Sequence, residues 1–205
     1  MTHKSSSLRM AHWVQRATKQ FLDIVLHPLA IYTFLTIYSF PPMARWIGLV
    51  LGFVAPVTIG LVMQKTKKIK SYWSANSTHD RRLLILVNLI FYTSLLTFCN
   101  GIGIPPIIKV VPLITLVVLV ATWVLIIFPW GDVNGHFVAL TMLITYLTLL
   151  TFKIGLNLAL PAIAAIVLMG IKSYLWMEES SMTVRSLLMS TLLGLTVTIS
   201  CFLFL

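Results

Sequence analysis

The feature that most constrains this chain is a series of long apolar runs in which charge is almost absent. The run from Leu83 to Asn100 has no charged residue, and the run from Ile107 to Phe128 has only Lys109. A helix crosses the roughly 30 Å hydrocarbon core of a bilayer in about 20 residues, and these runs have that length. Across the chain 59% of residues are hydrophobic and only 10% are charged. A soluble domain averages roughly 45–50% apolar and about 25% charged, so one water-soluble core cannot absorb this excess. In hydrocarbon every backbone polar group needs an internal partner, which leaves helices or a closed barrel. Barrel strands alternate apolar and polar residues, whereas these runs are unbroken. The expected fold class is therefore all-α, a polytopic helical membrane protein.

Seven spans are predicted. The first runs from Phe21 to Phe40 and stops at Pro41-Pro42. The second runs from Trp46 to Met63, with a kink expected at Pro56. The third, Leu83 to Asn100, is stopped by Gly101-Ile102-Gly103. The fourth covers Ile107 to Phe128, with Pro112 near its start. The fifth covers His136 to Phe152 and the sixth Ile154 to Ile171, with Pro161 inside it and only Lys153 between the two. The seventh runs from Arg185 to Leu205. The spans form one transmembrane domain over residues 21–205. It is preceded by a basic segment over residues 1–20, which reads either as an interfacial helix or as a cytoplasmic tail.

The net charge of +10 would suggest nucleic acid on a soluble protein. Here the basic residues flank apolar helices, so membrane orientation and anionic headgroups account for them and no nucleic-acid partner is expected. Seven spans with the N-terminus in the cytoplasm place twelve Lys and Arg inside and three (Arg45, Lys109 and Lys153) outside. This predicts a multi-pass protein of the cell membrane with its C-terminus outside. Cys99 and Cys201 lie inside apolar runs at no metal or redox spacing. There is no Cys/His cluster or Gly-rich nucleotide loop, so neither metal nor cofactor is expected.

The same threading gathers three polar segments on the inner face. The first ends in His79-Asp80-Arg81-Arg82, where paired arginines at a helix entrance can fork onto a phosphate; headgroup contact explains the same residues. The second ends in Asp132-Val133-Asn134-Gly135-His136. His136 at a helix start would have exposed backbone N–H groups and a pKa suited to acid catalysis. As a plain turn, Asp132 or Asn134 would serve as the N-cap. The third is Lys172 to Arg185. Its adjacent Glu178 and Glu179 diverge on a helix, and Ser181 or Thr183 would cap the last span. His27, followed by Pro28 inside the first run, is a ligand or an anchor by its position in a span.

This order of features resembles the bacterial membrane branch of the type 2 phosphatidic acid phosphatase superfamily. The resemblance runs over nearly the whole chain. It is carried by His27-Pro28, by Pro56, by the Lys65–Lys70 stretch with Asp80-Arg81-Arg82, by Asn134-Gly135-His136 and by the small-residue run Leu187–Gly194. It implies phosphate contacts from Lys70, Arg81, Arg82 and Asn134, with His136 as the catalytic acid. The departures bear on activity. Leu83 follows Arg82 where the family has proline, and Asn134 stands where it usually has serine. No histidine follows His136 to supply the family's nucleophile, and neither Ser180 nor Ser181 has a local base. The resemblance therefore implies a phosphatase-like fold whose hydrolytic machinery is degenerate, serving as a lipid-phosphate-binding or structural subunit among membrane lipids and other membrane subunits. Two alternatives stand beside it: an active lipid or isoprenoid phosphate phosphatase using His136, and a subunit of a redox or photosynthetic complex in which His27 contacts a pigment or haem.

Overall fold

The computed structural model describes residues 30–31, 41–70, 77–104, 106–128, 133–155, 157–178 and 183–204. Every regular element among these residues is helical. The elements are α1 (Pro42–Leu49), a π-helical turn (Val50–Val54), α2 (Ala55–Lys65), α3 (Thr78–Gly101), α4 (Pro106–Ile127), α5 (Gly135–Ile154), α6 (Ala159–Glu178) and α7 (Val184–Leu203). With α1, the π turn and α2 forming one rod, six helices among the described residues are long and apolar enough to cross a membrane. Ile90, Leu160, Ile166, Leu188 and Leu192 are exposed on their outer surfaces. That much outward apolar surface calls for lipid as solvent, and the protein is membrane-embedded. The expected first span, Phe21 to Phe40, lies outside the described residues except for the helical Ala30 and Ile31. So does the basic segment before it.

Pro56 explains the rod's irregularity. Proline has no N–H and its ring clashes with the carbonyl four residues back. The turn just before it is π-helical, and the Ala55 N–H reaches back to the Val50 carbonyl. The helix absorbs the proline by widening one turn.

The helices pack in the order rod, α3, α4, α7, α5, α6. α7 thus lies between α4 and α5, and α5 meets α7 more extensively than any other element. The residues of α7 show why. Its buried positions are Ser186, Ser190, Gly194, Thr198 and Phe202, every fourth residue along one face. Four of these five are small. Lipid gives helices no hydrophobic drive to associate, so close backbone approach along small residues supplies the packing energy. At Gly194 the approach is so close that a Cβ would fall 2.7 Å from the Val138 carbonyl oxygen. Further along, the Tyr146 and Phe202 rings meet edge-to-face at 6.2 Å. α5 and α7 therefore run parallel.

α6 returns between them in sequence and differs from its expected bounds. It starts at Ala159, not Ile154, and ends at Glu178, not Ile171. Lys153 belongs to the last turn of α5, which is terminated by Gly155 at φ 71°, a left-handed position that suits glycine. The Asn157 side-chain oxygen then accepts from the Ala159 N–H at 3.3 Å. Pro161 consequently falls in the first turn of α6, where its missing N–H costs nothing, and not within the span. The seven-residue extension at the other end carries Lys172 from the predicted loop into the helix.

Candidate functional site

α6 turns a narrow stripe toward α5. Ala162, Ala165 and Lys172 are buried on it, with Met169 and Trp176 half-buried. Their spacing of three and four residues is that of one helix face. Lys172 occupies a core position on this stripe and is only 1% exposed. Its Nζ lies 2.8 Å from Nδ1 of His136, on the first turn of α5. The Trp176 ring closes the group. Lys172 Nζ stands 5.3 Å from its centroid, a cation–π distance when the amine is charged. The His136 and Phe137 rings meet Trp176 edge-on at 5.4 and 6.3 Å.

His136 is placed by the capping of α5. Asn134 is the N-cap, and its side-chain oxygen accepts from the His136 N–H at 3.0 Å. Both the Phe137 and Val138 N–H groups donate to the Asn134 carbonyl. The N–H of Asn134 itself donates to Ser190 Oγ at 2.8 Å, and Ser190 passes a hydrogen bond to the Ser186 carbonyl. The Asn134, His136, Phe137 and Val138 N–H groups at this helix start are thus taken up by the chain. His136 and Lys172 carry the site's chemistry through their side chains.

The first basic segment is arranged differently. Ser77 caps α3 by accepting from the Asp80 N–H, and the Asp80 carboxylate accepts from the Lys70 backbone N–H at 2.9 Å. Asp80 is buried while Lys70 is exposed, so Lys70 joins this contact through its main chain. Arg82 Nη2 donates to the Ile126 carbonyl in the last turn of α4 at 3.4 Å, where a cation complements the helix dipole. This bond sets the start of α3 beside the end of α4, so the two helices run antiparallel. The chain then needs only the residues from Phe128 to Asn134 to reach α5. Arg81, Arg82, Asn134, His136 and Lys172 therefore share one end of the bundle, with hydrogen bonds joining His136 to Asn134 through its main chain and to Lys172 through its ring. Thr183 caps α7 by accepting from the Ser186 N–H at 3.1 Å, as one of the two expected caps. His27, Asp132, Ser180 and Ser181 lie outside the described residues.

Three site residues escaped the sequence reading. The charge of Lys172 points to a loop, and no motif marks Trp176 or Ser190. The signal was the continuous spacing Ala162, Ala165, Met169, Lys172, Trp176, which extends the α6 stripe past Ile171. Comparison with known protein families, curated proteins and solved structures finds no match.

Proposed function

We propose that this membrane protein binds the phosphate headgroup of a lipid at the bundle end formed by Asn134, His136 and Lys172, with Arg81 and Arg82 drawing anionic lipid toward it. The observation that carries this reading is the Lys172–His136 contact of 2.8 Å. A lysine inside a span is expensive and marks a functional site by default. An ammonium beside an imidazole offers donors to phosphate oxygens, and the Trp176 ring walls one side.

Binding without turnover is the reading favoured by the sequence. No histidine follows His136, so the phosphatase-like arrangement lacks its attacking group, and the chain serves as a lipid-phosphate-binding subunit. The test uses purified protein in nanodiscs and a short-chain phosphatidic acid, with phosphatidylcholine as control. Saturable binding of phosphatidic acid is expected, weakened about tenfold or more by Lys172→Met, in line with loss of a charge-assisted hydrogen bond. Phosphate release should stay at background. Binding that ignores Lys172→Met would remove the site. Release at enzyme-like rates, lost in His136→Ala, would establish a phosphatase instead.

A further inference from the structure

We infer that the turn between α2 and α3 is a second lipid site, in which Lys65, Lys67, Lys68 and Lys70 hold a headgroup that joins two phosphates. It is separate from the Asn134–His136–Lys172 site and does not depend on it.

Two helix ends in this protein close in the same hydrogen-bond pattern with different residues. At the end of α3 the Gly103 N–H donates to the Asn100 carbonyl and the Ile104 N–H to the Cys99 carbonyl. Gly103 has φ 66° and Ile104 is buried. A left-handed glycine followed by an apolar residue is a common way to finish a helix. At the end of α2 the Lys67 N–H donates to the Gln64 carbonyl and the Lys68 N–H to the Met63 carbonyl. Lys67 takes the left-handed place at φ 58°, and exposed Lys68 stands where α3 has buried Ile104. Lys67 is the one non-glycine at positive φ among the described residues. A Cβ is crowded by the backbone in that conformation, and glycine avoids the cost. Lysine thus occupies both positions that favour glycine and an apolar residue. Local strain of this kind persists where function calls for it.

The shape of the turn does not depend on the lysine side chains. Ile69 is buried, the Thr66 hydroxyl donates to the Val62 carbonyl at 2.9 Å, and the Lys70 N–H donates to the Asp80 carboxylate at 2.9 Å. All four lysines are exposed, and their ammonium groups have no hydrogen-bond or ion-pair partner among the described residues. Four positive charges are therefore held on a fixed turn and left open. The turn follows directly on Leu61 and Val62, exposed apolar residues of the rod, so its lysines stand at the level of the lipid headgroups, where each attracts anionic lipid. One phosphate is satisfied by one or two ammonium groups. Four within six positions suit two phosphates carried by a single lipid.

Native mass spectrometry of the full chain in detergent tests this, with cardiolipin compared against phosphatidylglycerol at equal total phosphate. Cardiolipin joins two phosphates and should bind in preference. Lys67→Gly should weaken cardiolipin binding about fivefold, the effect of one lysine near an anionic headgroup. It should also raise the unfolding midpoint in lipid-free detergent, because glycine relieves the turn. Arg185→Gln removes one exposed positive charge at the start of α7 and should leave the preference for cardiolipin intact. Lysine methylation of the wild-type protein is an independent measurement. Cardiolipin should protect Lys65, Lys67, Lys68 and Lys70 more than phosphatidylglycerol at equal phosphate does. Equal affinity per phosphate for the two lipids, equal losses in Lys67→Gly and Arg185→Gln, or lysines methylated alike with and without cardiolipin would each overturn the site. A midpoint that does not rise in Lys67→Gly would remove the strain on which it rests.

Discussion

Gly194 on α7 lies against the main chain of Val138 on α5, with its missing Cβ position 2.7 Å from the Val138 carbonyl oxygen and 3.0 Å from Thr141 Cβ. A carbonyl inside a helix cannot move aside without breaking its own hydrogen bond. Gly194→Ala should therefore push α7 away from α5 and destabilise the protein by about 1–3 kcal/mol, the usual cost of overpacking. Gly170 on α6 is the internal control, since a Cβ there meets nothing within 4 Å. Gly170→Ala should be neutral or slightly stabilising, because alanine is the better helix former. Unfolding midpoints in detergent compare the two. Equal effects would mean that the α5–α7 contact is looser than the structure has it.

The same close approach holds the site together. Ser190, one helical turn before Gly194, accepts from the Asn134 N–H and donates to the Ser186 carbonyl. Ser190→Ala takes away the acceptor for a main-chain donor at the start of α5. The expected cost is about 1–3 kcal/mol, together with weaker phosphate binding as the first turn carrying His136 loosens. Thr198 on the same face donates to the Gly194 carbonyl, within its own helix, so Thr198→Val should leave lipid binding unchanged. A Ser190→Ala protein with wild-type binding would show that the cap does not position His136.

Much of this fold was legible in the sequence because lipid imposes a simple rule. A long apolar run must be a helix, and α3, α4, α5 and α7 fall within a few residues of their predicted bounds. Asn134 and Thr183 could be read as caps because a short polar side chain before an apolar run has few other uses. The turn between α5 and α6 differs from its expected bounds because hydropathy does not register a backbone conformation. Gly155 stops α5 by adopting a left-handed φ, and Pro161 then fits a helix start as readily as a helix interior. Lys172 is hidden for a related reason. Its charge suggests a loop, and only its place on the Ala162–Ala165–Met169 face shows it to be core. The contact between α5 and α7 joins elements that are not neighbours in sequence. The small-residue face announces that some helix comes close, without saying which.

The Lys172–His136 contact should be measurable as an energy. Lys172→Met and His136→Gln each remove one half of it, and in the double variant neither half is left facing a lost partner. A double-mutant cycle on unfolding free energy should give a coupling of about 0.5–3 kcal/mol, the range for residues in one hydrogen-bonded network. The double variant should be clearly more stable than the sum of the single losses predicts. Additive losses would mean that the two side chains do not interact in the membrane.

The basic residues near the site should fix which side of the membrane it faces. Lys65 ends α2, the α2–α3 connection carries Lys67, Lys68 and Lys70, and Arg81 and Arg82 follow at the start of α3; excess Lys and Arg is retained in the cytoplasm. Lys68 is exposed in this connection, and Asn157 is exposed in the turn between α5 and α6. The α5–α6 turn is at the opposite end of the bundle from His136, since it follows the last turn of α5. In a background with Cys99 and Cys201 replaced by serine, Lys68→Cys and Asn157→Cys should react with a membrane-impermeant thiol reagent from opposite sides. Asn157→Cys should label in intact cells and Lys68→Cys only in inverted vesicles. The His136–Lys172 site would then draw on the lipid of the cytoplasmic leaflet, whose anionic headgroups the basic segments attract. Labelling of Lys68→Cys in intact cells would place the site on the outer leaflet and require a source of phosphate lipid there.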